Sequence, residues 1–199
     1  MKTTKTITLT TTLLATIALL SGCGSSGGDT APVQPTEPTV EYVPFDAPTI
    51  SANDKQAYLK AVNDARATGR NCGATYYPAV PPLEWSNALY GASYEHSDDM
   101  ASTNILTHDG SGTDSDWTAQ VLDLDRGSNM QERGANNGYD GGYIGENAAM
   151  LGADNSLGYV MRGWLASEGH CLNIMRAEHT HFGMARVENM WTQILAYKY

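Results

Sequence analysis

Three cysteines, at positions 23, 72 and 171, constrain this chain more than any other feature. An odd number in an exported protein leaves one thiol to be explained. Cys23 has its own explanation. Met1 to Thr6 is polar and carries Lys2 and Lys5, and Ile7 to Leu20 is free of charge and mostly apolar. Leu20-Ser21-Gly22-Cys23 then follows. A basic start, a short apolar run and small residues before a cut make a secretory signal. The run of 14 residues is too short for an ordinary transmembrane helix. The last four residues fit a lipobox, in which residues 1–22 are removed and Cys23 is lipidated; a plain secretory signal is the alternative. If Cys23 carries lipid, Cys72 and Cys171 remain as a pair. An oxidising compartment favours their disulfide over two free buried thiols. The bridge would close a loop of about 100 residues, for which chain entropy gives about 4–5 kcal/mol.

The formal charge is −10, and removing the leader with its two lysines and no acids makes it −12. Phosphate recognition needs basic patches, so nucleic acid is excluded as a partner. No Lys/Arg-rich segment points to anionic lipid heads, which leaves the lipid on Cys23 as the contact with a membrane.

Residues 23–50 read as a tether. Gly24-Ser25-Ser26-Gly27-Gly28 leads into prolines at 32, 35, 38, 44 and 48, a composition that buries little apolar surface. The folded domain is expected over residues 51–199. Ser51 caps a first helix carrying Tyr58, Ala61, Val62 and Ala65 at helical spacing, ended by Gly69. Cys72 to Pro82 is a loop. Ser86 caps a second helix reaching about Thr103, with Leu89, Ala92, His96 and Met100 on one face. Trp117 to Asp125 holds a short helix, and Ser128 to Tyr143, rich in Gly and Asn, reads as an exposed, mobile excursion. Ile144 to Met150 suits a short strand. A third helix runs from Asn155 or Ser156 to Ser167. Phe182–Val187 and Trp191–Tyr197 form a hairpin around Glu188-Asn189-Met190. Helices first and a small antiparallel sheet last make the class α+β.

His108, Glu146 and His170 each sit where a turn exposes the side chain. Two imidazoles and a carboxylate are a common ligand set for zinc or another first-row divalent ion. The three are scattered, so spacing alone leaves buried, hydrogen-bonded histidines as the plainer reading. His96 belongs on a core or cleft edge. His179 and His181 would share one strand face, where an exposed loop competes with a second metal site. Asp109, Asp114 and Asp116 could attract calcium but lack the EF-hand pattern.

Several motifs resemble a known family. Asn63-x-x-Arg66, His96-Ser97-Asp98-Asp99-Met100-Ala101, Thr107-His108 and Gly145-Glu146-Asn147 occur in order. Trp164-x-x-Ser167-x-Gly169-His170-Cys171-x-Asn173-Ile174, Gly183 and Trp191-Thr192-Gln193 follow. Together they resemble the CAP superfamily of cysteine-rich secretory proteins, antigen 5 and pathogenesis-related 1 proteins, over about Ala57 to Tyr197. The resemblance implies a three-layer α-β-α sandwich around a three-stranded antiparallel sheet. It also implies a cleft of two histidines and two acids able to hold a divalent cation. By position His108 and His170 match the histidines and Glu146 the first acid. The second acid falls at Ser167 in eukaryotic members, and the adjacent Glu168 either substitutes or faces solvent.

The function expected from these features is that of a lipid-anchored extracytoplasmic binding module. Its ligand would be a small molecule, lipid, glycan or peptide, and in a host with two membranes Gly24 after the lipidated cysteine favours the outer one. A metal-dependent hydrolase and a structural envelope protein are the alternatives. No motif assigns a base and an electrophilic stabiliser, so catalysis stays open.

Overall fold

The computed structural model describes residues 40–142 and 144–198. The leader, Cys23 and most of the tether lie outside the described residues. Among them the order is α1 (Ala52–Arg66), β1 (Arg70–Cys72), β2 (Thr75–Tyr77), β3 (Glu84–Trp85), α2 (Asn87–Thr103), α3 (Trp117–Val121) and α4 (Met130–Asn136). Then come β4 (Ile144–Met150), α5 (Leu157–Ala166), α6 (Glu168–Met175), β5 (His181–Val187) and β6 (Met190–Ala196).

Side chains set the helix boundaries. Ser51, Ser86 and Ser156 each accept a bond from the backbone N–H three residues on, starting α1, α2 and α5. Asn104, at φ 55°, ends α2 in the left-handed region that Asn tolerates. Asn129 and Glu132 form a capping box that starts α4. The Gly- and Asn-rich stretch after Ser128 is therefore not a mobile excursion: Arg133, Gly134 and Asn136 are buried. The expected third helix also breaks. Ser167 is extended at ψ 127°, closing α5 and opening α6, so His170 lies inside a helix rather than after one.

The sheet has order β3-β5-β6-β4. Three strands are antiparallel, as expected. The two-residue β3 adds a parallel edge to β5 that the sequence did not signal. Successive residues of a strand point to opposite faces, and the sheet divides accordingly. Phe182, Met184, Trp191 and Leu195 pack with Val62 of α1, Trp164 of α5 and Ile174 of α6. On the other face Ile194 and Ala196 meet Leu89 and Ala92 of α2. Gly183 lets α2 approach: a Cβ there would collide with the backbone of Leu89 and Tyr90. Helices therefore cover both faces of a central sheet. Cys72 and Cys171 are bonded, Cα–Cα 5.4 Å, and tie the end of β1 to α6. The expected loop after Cys72 contains the β1–β2 hairpin, turned at Gly73 with φ 60°.

The last residues assigned to the tether are attached to the domain. Asn136 Nδ2 and Trp117 Nε1 both donate to the Val43 carbonyl, at 2.9 and 2.8 Å. The Val43 and Phe45 amides donate to Asn136 and Asn137 side chains at 2.9 and 3.1 Å. Phe45 stacks on Tyr94 with 6.1 Å between centroids. Segment 40–50 is thus a strap laid over α3 and α4. Proline-rich composition did not leave it loose, because backbone groups of an extended segment can be satisfied by amide side chains.

Candidate functional site

β4 is an edge strand of the sheet, and the site is built along it. In the β4–β6 register Glu146 lies opposite Ile194, on the α2 face, and Asn147 opposite Gln193, on the other. Glu146-Asn147 therefore sends one side chain into each layer.

The Glu146 carboxylate has no solvent exposure and is held from three sides. His108 Nδ1 donates to Oε1 at 2.9 Å. Arg133 of α4 donates to Oε2 at 2.8 Å and to the His108 carbonyl at 2.9 Å. His96 of α2 lies 3.6 Å from Oε1. Burial pushes the Glu146 carboxyl up, but Arg133, His96 and His108 more than offset it and hold the pKa at about 2. Glu146 is therefore an anion. The same contact raises His108, whose side chain is half exposed.

His96 donates Nε2–H to the Thr107 carbonyl at 2.9 Å, which fixes its tautomer. Its Nδ1 is buried without a partner among the described residues. Burial, followed by the Arg133 charge, lowers its pKa.

On the other side of β4, Asn147 Nδ2 donates to the His170 carbonyl at 3.2 Å and to Gln193 at 2.9 Å. Asn173 donates to Asn147 and to the Glu146 carbonyl. These bonds fasten α6 to the strand and place His170 at the cleft. His170 is half-buried, and burial together with the neighbouring His108 charge lowers its pKa.

Beyond His170 an apolar groove of about 300 Å³ runs over β4 and α5. Trp164 and Val160 line it with Leu106, Met150 and Tyr159. The last three are 46, 41 and 46 % exposed, although all are large and apolar. A concave site of this size, apolar with a few polar groups at one end, has the composition of a small-molecule pocket.

The expected site residues have separate fates. His108 and Glu146 are in direct contact, and His170 is close enough to His108 to sense its charge. Glu168 is exposed and leans on Gly73 of the β1–β2 turn, away from Glu146. Among the described residues no three His, Cys, Asp or Glu side chains gather closely enough to hold a metal ion. Glu146 has both oxygens engaged by His108 and Arg133, so it orients an imidazole and is not itself an open ligand. Of the expected set, His108 keeps the chemistry of a cation ligand. With Nδ1–H given to a carboxylate, His108 offers Nε2, the usual state of a metal-ligating histidine.

Asp116 caps α3 and accepts from Ser128, and His179 is buried against the Asn173 carbonyl. Neither belongs to a second cation site. The sequence reading missed Arg133. The Asn129-x-x-Glu132 capping box was the signal for its helix, but nothing local showed that its guanidinium would reach residue 146.

Residues 59–194 match the family model for CAP, the cysteine-rich secretory protein family. An extracellular protein containing an SCP domain from Bacillus anthracis str. Ames shares 19 % identity over 76 % of this chain and 45 % of its own, with TM-score 0.51. An outer surface protein from Borrelia burgdorferi shares 13 % identity over 76 % and 97 %, with TM-score 0.55. At these identities the likeness is one of fold. The chain spans less than half the length of the Bacillus protein. No curated protein matches it. Among the described residues no helix is long and apolar enough to cross a membrane.

Proposed function

Because the chain belongs to the CAP, or cysteine-rich secretory protein, family, we propose that it is an exported binding module, held to the cell envelope by lipid on Cys23. Its ligand is a small amphipathic molecule of the envelope or surroundings, with the apolar body in the groove and the polar end at His108 and His170. The observation that carries this reading is the placement of three exposed apolar side chains, Leu106, Met150 and Tyr159, beside a buried charged cluster. Exposed apolar area next to convergent polar groups marks a binding surface.

A divalent cation, zinc by donor type, is held by Nε2 of His108 and by His170, with Glu146 fixing the first ring. When bound it supplies a positive charge for the ligand's polar end. Gly24 following Cys23 is consistent with sorting to an outer membrane.

A fluorescent long-chain fatty acid titrated into the full chain tests the groove. Binding is expected, and Tyr159→Asp with Met150→Asp should weaken it about tenfold, the scale of losing a central contact. Unchanged affinity in that variant would remove the groove from the function. Zinc calorimetry against His108→Ala/His170→Ala tests the cation, and equal heats would dismiss it. Cys23→Ser should release the protein from membranes; retention would refute the anchor.

A further inference from the structure

A second concavity, which shares no residue with the cleft or the groove, lies between the strap, α1, α2 and the end of β5. It measures about 310 Å³, and its walls include Tyr58, Tyr90, Tyr94, Asp54, Ser51 and Arg186. We propose that this pocket is a saccharide-binding site that takes β-linked pyranose rings. The inference goes beyond the proposed function and does not depend on it.

The tyrosines are part of a continuous run of rings. Phe45, Tyr94, Tyr90, Trp85, Tyr58 and Trp191 follow one another with centroids 6.1, 6.1, 5.7, 6.4 and 6.1 Å apart. Tyr58, Tyr90 and Tyr94 are only half-buried, which leaves their hydroxyl ends open to the pocket. Tyr90 and Tyr94 also pack in none of the apolar clusters of the core. Such rings are pre-ordered, since their neighbours fix the two side-chain torsions, so they can contact a ligand with little entropy to lose.

The polar groups narrow the ligand class. The Tyr90 hydroxyl donates to the Pro48 carbonyl at 2.9 Å and so pins the strap as one wall. The hydroxyls of Tyr58 and Tyr94 have no hydrogen-bond partner among the described residues. Asp54 supplies an acceptor carboxylate and Arg186 a donor guanidinium. Arg186 is exposed and rests over the Trp191 ring, 5.5 Å from its centroid. One charge of each sign gives the pocket no net preference for an ion. Its lining is mostly polar, so it suits a neutral ligand rich in both donors and acceptors. A β-linked pyranose has that form: its equatorial hydroxyls both donate and accept, and its axial C–H groups need only the limited apolar contact that the tyrosine edges give. The volume lies at the small end of ligand pockets, ~300–1,000 Å³.

The test is calorimetric titration of the full chain with chitotetraose and with cellotetraose, together with tryptophan emission, since Trp85 adjoins both Tyr58 and Tyr90. Saturable binding of at least one, with a change in emission, is expected. Tyr94→Ala should weaken it about tenfold, whereas Tyr94→Phe, which keeps the ring, should stay within about twofold. Arg186→Gln changes an exposed residue and should weaken binding about fivefold without altering the fold. The fatty-acid titration should be unaffected in all three variants. No saturable binding of either oligosaccharide, or equal binding by Tyr94→Ala and Arg186→Gln, would overturn the proposal.

Discussion

The two faces of one sheet are stabilised in opposite ways. Towards α1, α5 and α6 the packing is mostly apolar, built on Trp164, Phe182, Met184, Trp191 and Leu195 and stapled by the Cys72–Cys171 bond. Towards α2 and α4 the buried groups are largely polar. Ser93 donates to the Gly183 carbonyl and Ser97 to Thr192. Glu95 accepts from the Thr118 amide and Asn137, and Arg133 holds Glu146. Apolar contacts add roughly with area and tolerate single changes gradually. A satisfied polar network is less forgiving, because removing one member leaves another buried without a partner. The cleft lies at β4, where the two regimes meet. Its charged group is therefore rigidly placed by the polar side, and its groove is walled by the apolar side.

The difference can be broken deliberately. The largest effect is expected from Cys72→Ala/Cys171→Ala, about 4–5 kcal/mol by loop-closure entropy for a separation of 99 residues, read from the denaturant midpoint. On the polar side Arg133→Met leaves Glu146 buried and unpaired and should cost about 3–5 kcal/mol. Adding Glu146→Leu to it should recover most of that loss. If the double variant were as unstable as the single, the cost would come from packing and not from charge. Acid should separate the faces further. Burial holds His179 down at about 4, so the unfolded chain binds more protons between 6.5 and about 4. Stability should fall by roughly 3 kcal/mol as pH drops through that range. Glu146 is depressed to about 2, so its stabilisation is present above pH 4.5 and lost as pH falls towards 2. Glu146→Gln should abolish only this second loss in a pH series of melting temperatures. The smallest effect belongs to Ser97→Ala, about 1 kcal/mol for one buried hydroxyl pair at 2.9 Å. Thr192→Val in the same chain should add little.

What the sequence made legible follows the same division. Ser51, Ser86, Leu89, Val62 and Trp164 announced the helices and their apolar faces because caps and periodicity are local signals. His108, Glu146 and His170 stood out because turns and glycines flanked them. The roles within the site were not local. Glu146 read as a ligand, but its partner Arg133 approaches from α4, which composition disguised as loop. Glu168 was undecided because the second acid of the family pattern falls one residue earlier, at Ser167, and no local signal showed that Glu168 would lie against Gly73. The parallel β3 edge, only two residues long, was too short to show a period.

The strap bears on how the domain is held. Asn136 and Asn137, which grip residues 43 and 45, are the continuation of the same short helix that presents Arg133 to Glu146. Displacing the strap would therefore disturb α4, three positions from the guanidinium that keeps the cleft anion in place. The strap and the electrostatic support of the pocket thus share one short helix, and a substitution that loosens the first bears on the second.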